Sequence, residues 1–111
     1  MEIRENDNLC IITPLCKRIN EYECSRIIKE ITGELRNVAL DLSCVQDCTI
    51  DFLEKLQNLC IKKKVGIFNI SSDLFVLFNI MNLDKLAKIF VSELDFEEDT
   101  RQIINRKFEI V

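Results

Sequence analysis

The residues best suited to chemistry crowd into one stretch, "DLSCVQDCTID" at 41–51, which supplies Asp41, Ser43, Cys44, Cys48, Thr49 and Asp51. Asp41 closes an apolar run, the position of a phosphoacceptor carboxylate of the receiver kind. Such a site needs an acidic pair at an earlier strand end to hold magnesium, and a Thr and a Lys at later ones. The chain has no such acidic pair, and its later apolar runs end in "FNIS" and "FVSE". A hydrolase or thiol site built on Cys44 or Cys48 would need a base, and the chain contains no His. The six Cys (10, 16, 24, 44, 48 and 60) do not form a C-x-x-C pair; the closest are Cys44 and Cys48. Without His there is no mixed zinc set either. Several of the six fall on apolar faces, where Cys packs as a small hydrophobe, so reduced structural thiols are expected, with no metal and no cofactor.

The elements that hold this stretch follow from periodicity. The run "LCIITPL" at 9–15 reads as a strand ending near Pro14, with a weaker strand ahead of it at 2–4. Asn20 with Glu23 predicts a helix cap, and Cys24, Ile27, Ile28 and Ile31 then repeat at helical spacing until Gly33. "NVALDL" is a continuous apolar run, the mark of a central strand covered on both faces. A second helix is predicted over 50–62 with Leu53, Leu56 and Cys60 inward, then a buried strand "VGIFNI" at 65–70. Ser71, Ser72 and Asp73 cap a third helix through Met81, "AKIFVS" makes a further strand, and Asp95 with Glu98 opens a last helix carrying Phe96, Ile103 and Ile104. "KFEIV" reads equally well as an extended tail. Strands alternating with helices predict an α/β domain over 1–111: a mixed, mostly parallel sheet of about five strands covered by about four helices.

Bulk composition narrows the partners. The 111 residues carry a formal charge of −4, and the one basic run, Lys62 to Lys64, follows the end of a predicted helix, where cations complement the helix dipole. A nucleic-acid partner is not expected, since phosphate binding calls for a concentrated basic surface. No signal peptide is read at the N-terminus, and the longest apolar block, 74–81, is interrupted by Asn79 and falls short of the ~20 residues of a membrane helix. A cytosolic location without membrane contact is the expectation.

The junction resembles the STAS family, the anti-sigma-factor antagonists and related sulfate-transporter domains. That family's pattern is an apolar strand ending Asp-Leu-Ser-x-Val, three residues, then Asp-Ser-Ser-Gly-Leu opening a helix. Asp41, Leu42, Ser43 and Val45 stand at the first positions and Leu53 at the last, without a gap, and "NLDKLAKIF" follows as the family's Leu-Asp-Lys segment does. The resemblance implies a non-catalytic bacterial signalling domain whose partner is an anti-sigma factor or related serine kinase. It also implies that the partner meets Thr49, Ile50, Asp51 and Phe52 at the start of the second helix.

Two departures from the pattern matter. Thr49, Ile50, Asp51 and Phe52 replace Asp-Ser-Ser-Gly, so Asp51 stands at the phosphoacceptor-equivalent position and carries no hydroxyl. Asp51 either stabilises the first helical turn through the dipole, by ~0.3 to 1 kcal/mol, or fixes a negative charge that phosphorylation would otherwise add. Thr49 is a further candidate acceptor and a natural N-cap. In the third helix, Leu74 to Phe78 leave no polar face, and the family usually carries charged residues at Phe75 and Val76. These two, with Phe52, are expected to form an apolar patch covered by a partner, a homodimer mate or the C-terminal segment. The alternatives to the docking reading are a receiver-like or nucleotide-binding signalling domain, and a structural homo-oligomer subunit.

Overall fold

The computed structural model describes residues 1–90. Its strands are β1 (Glu2–Glu5), β2 (Leu9–Thr13), β3 (Arg18–Ile19), β4 (Asn37–Asp41), β5 (Asp47–Cys48), β6 (Val65–Phe68) and β7 (Lys88–Phe90). Its helices are α1 (Glu21–Gly33), α2 (Ile50–Lys62), α3 (Ser72–Ile80) and α4 (Leu83–Leu86). Five strands form the main sheet in the order β1-β2-β4-β6-β7. Only β1 runs antiparallel to its neighbour, and every other pair in that sheet is parallel. The fold is thus the expected α/β type, with a mixed, mostly parallel sheet and four helices.

From β2 onward each new strand of the main sheet is added on the same side of the last. Crossovers between parallel strands are right-handed, so steps in one direction must place all their helices on one face. The main core has this arrangement. Cys10, Ile12, Val38, Leu40, Val65 and Ile67 from the sheet meet Ile27, Ile31, Phe52, Leu56, Leu74, Phe78 and Leu83 from the four helices. The opposite face of the sheet contributes Ile11, Ala39 and Phe68, all buried, with Leu9 and Phe90 packed against them. β4 is therefore central and buried on both faces, as its continuous apolar run requires, while the four described helices share one side.

Local signals set most boundaries. Asn20 Oδ1 accepts from the Glu23 N–H at 3.0 Å and opens α1; Ser71 Oγ accepts from the Leu74 N–H at 3.3 Å and opens α3. The end of α1 does not depend on a left-handed glycine, since Gly33 has no positive φ. Its last carbonyls are met instead by Lys63, whose ammonium donates to Ile31 O at 3.1 Å and to Glu34 O. α1 has no basic residue in its own last turn, so a cation from the end of α2 takes that role.

Three boundaries differ from the sequence expectation. β6 stops at Phe68 because Asn69 turns into the left-handed region, with φ 57°. Asn82 does the same after α3, and the chain forms the short α4 before β7; Asn is among the few residues that take this conformation readily. The pair β3–β5 is a small separate parallel sheet, too short for any periodic signal. The expected helix after Asp95, with Phe96, Ile103 and Ile104, lies outside the described residues. Among those described, no helix is long and apolar enough to cross a membrane.

Candidate functional site

Asp41 is the last residue of β4 and is only 8% exposed. Its Oδ1 accepts from the Ser43 N–H at 3.1 Å and from Asn69 Nδ2 at 3.2 Å. Its Oδ2 accepts from the Thr13 hydroxyl at 3.4 Å and lies 3.8 Å from the Arg4 guanidinium. Thr13 ends β2 and Asn69 follows β6, so one carboxylate ties together the carboxyl ends of three parallel strands. The left-handed turn at Asn69 is what brings its amide round to Asp41. Every printed neighbour is a donor, which is the wrong set for sharing a cation: magnesium needs oxygen acceptors. Among the described residues no group of three or more His, Cys, Asp and Glu converges. The arrangement makes Asp41 an anchor for the junction loop and argues against its use as a phosphoacceptor.

From that anchor the chain is led to α2 by the small sheet. Val45 turns back onto Leu42 O, and the Gln46 and Asp47 N–H groups donate to Lys17 O at 2.7 and 3.1 Å. β5 then pairs with β3, and the Thr49 N–H donates to Ile19 O at 3.1 Å. Thr49 caps α2, its hydroxyl accepting from the Phe52 N–H at 3.3 Å. The structural role expected of Thr49 is thus the one it plays.

The four residues assigned to the partner at this junction do not share one surface. Ile50 is 70% exposed, and Asp51 is exposed beside Lys55, whose Nζ lies 3.1 Å from Oδ2 one turn on. Hydrogen bonding to Asp51 raises the Lys55 pKa. Phe52, in contrast, is fully buried in the main core. Its assignment to a surface patch with Phe75 is therefore corrected. The reason is helical geometry: Phe52, Leu56 and Cys60 repeat every four residues and lie on one side with Leu53. That spacing was available in the sequence and identifies Phe52 as core.

On α3 the all-round apolar character resolves into two faces. Leu74 and Phe78 point into the core, whereas Phe75 and Val76 are 39% and 56% exposed and Ile80 is 70% exposed. Ile80, one turn beyond Val76, belongs to the outer face although it was not singled out. Phe75 also lines an open groove of about 460 Å³ with Leu86, Ile89 and Phe90, edged by Lys85 and Lys88. Sequence patterning had no means of finding this groove, because α4 creates one wall of it.

The thiols are all free. Burial pushes the Cys48 and Cys60 thiols up to about 11 and raises Cys10 and Cys24 as well. These four are poor nucleophiles at neutral pH, as buried apolar surroundings dictate. Against this geometry the comparisons with known proteins add no relative: no family model matches the chain, and no curated protein matches it.

Proposed function

We propose that this chain is a protein-interaction domain of the STAS-like, anti-sigma-factor-antagonist type that works by docking rather than catalysis. Its partner is an anti-sigma factor or a related serine kinase, met by Ile50 and Asp51 at the start of α2 and by the outer face of α3. The observation that carries this reading is the solvent exposure of Phe75 and Val76, two apolar side chains on a helix whose core contacts are already made by Leu74 and Phe78. Apolar side chains grouped on a helix's outer side favour a contact that excludes water. Asp51 holds a fixed negative charge at the phosphoacceptor-equivalent position, so the interaction is set permanently in one state instead of being switched by a kinase.

The test is an affinity pull-down from the native cell, comparing the wild type with the double variant Phe75→Glu/Val76→Glu. The expected result is an anti-sigma factor or serine kinase retained by the wild type and lost by the variant at an unchanged melting temperature. Recovery of the same proteins by both forms would refute the α3 surface. Self-association lost in the variant, with no other protein captured, would replace the reading with a homo-oligomer. Incubation with ATP and a family-typical serine kinase is expected to leave residues 50–52 unlabelled, and Asp51→Ser to restore labelling. Phosphate on wild-type Thr49 would show a relocated acceptor and defeat the fixed-charge reading.

A further inference from the structure

Four of the six thiols, Cys10, Cys24, Cys48 and Cys60, are buried; Cys44 is exposed and Cys16 is half-buried. The two that solvent can reach lie on the two segments joined by the small sheet. Lys17 O receives both the Gln46 and Asp47 N–H groups, and β3 and β5 pair Arg18 with Asp47. Followed back from that pair, one segment reaches Cys16 just before Lys17, and the other reaches Cys44 just before Val45. Paired strands run about 4.8 Å apart, and a disulfide spans Cα separations of about 4.4 to 6.8 Å, so segments held at this spacing are in range of each other. The charge of a Cys44 thiolate is felt at the Cys16 thiol, which sets the two sulfurs in the same neighbourhood.

We propose that Cys16 and Cys44 form a reversible disulfide by exchange with a small-molecule disulfide, clamping the loop after β2 to the loop after β4. Cys44, the more exposed, attacks first as the thiolate. A bond forms between its Sγ and one sulfur of the incoming disulfide, the old S–S bond breaks, and one small thiolate leaves and takes a proton from water. Cys16 then gives its proton to solvent and attacks the Cys44 sulfur, and the second small thiol departs. Two protein thiols are oxidised and one small-molecule disulfide is reduced to two thiols. Burial and the nearby Glu23 carboxylate raise the Cys16 thiol, so the closing step accelerates as pH rises. The bridge would sit just ahead of the small sheet that delivers Thr49 to the start of α2, and would stiffen the support of that helix whatever binds to it.

The experiment treats the reduced full chain with glutathione disulfide at mildly alkaline pH, quenches with acid, alkylates the remaining thiols and measures intact mass. The expected result is a fall in alkylatable thiols from the six present to four, with no glutathione retained and full reversal by dithiothreitol. Cys16→Ser is expected to stall as a glutathione adduct on Cys44, and Cys44→Ser to form no internal bridge. Both substitutions lie outside the buried core, and unchanged melts check that both variants fold. The proposal is overturned if the wild type keeps all its thiols, stops at the glutathione adduct, links between molecules, or forms an internal bridge in either Ser variant.

Discussion

The reassignment of Phe52 from surface to core predicts opposite outcomes for two neighbouring substitutions in the first turn of α2. Phe52 is fully buried among residues of α2 and the main sheet, while Ile50, two positions earlier, is 70% exposed. Phe52→Ala removes an aromatic ring from a close-packed cluster and leaves a cavity, which costs about 3 to 5 kcal/mol. Against the ~5 to 15 kcal/mol that holds a domain of this size together, that is a large share. Ile50→Ala removes a side chain already in water and should change stability by no more than about 0.5 kcal/mol. Urea denaturation followed by far-ultraviolet circular dichroism measures both. Phe52→Ala is expected to lower the midpoint strongly with an unchanged slope, and Ile50→Ala to overlay the wild type. A Phe52→Ala midpoint within the equivalent of about 1 kcal/mol of wild type would refute the core assignment, and with it the helical-face argument that separates residues 50 and 51 from 52.

Other perturbations test the supporting framework. Asp41→Ala strands the Thr13 hydroxyl, the Asn69 amide and the Ser43 N–H, and should cost about 1 to 3 kcal/mol in the same denaturation assay; an unchanged midpoint would show that the anchor contributes nothing. Lys63→Met removes the ammonium that meets the carbonyls of Ile31 and Glu34, and should speed amide exchange in the last turn of α1 while leaving its first turn as it was. Hydrogen bonding to Arg36 lowers the Glu34 pKa from 4.5 to about 2. A group depressed on folding contributes stability above its unfolded value that is lost as pH falls toward the folded one. Wild type should therefore lose stability between about pH 4.5 and 2 more steeply than Glu34→Gln, and identical acid titrations would exclude a role for the pair.

The part of this protein legible in its sequence is the part encoded by local period and local hydrogen bonding. Helix α2 has the predicted bounds, Ile50–Lys62, because Thr49 caps it and its apolar residues repeat at helical spacing. β4 is central, as a strand buried on both faces must be. Asn20 and Ser71 cap their helices as their residue types predict, since such caps act over only three residues.

What the sequence left open depends on contacts between segments far apart in the chain. Leu74 to Phe78 read as apolar on every side; only the packing of α3 against the sheet separates the buried Leu74 and Phe78 from the exposed Phe75 and Val76. Asp41 carries no mark that distinguishes a reactive carboxylate from an anchored one. That difference is made by Thr13 and Asn69, each 28 residues away in sequence. The small sheet of β3 and β5 has too few residues to leave a periodic trace, yet it sets the entry to α2 and brings the segments of Cys16 and Cys44 together. Local sequence specifies which way a side chain points along its own element; which element stands opposite is fixed only when the strands find their order, and that order decides what each of these groups meets.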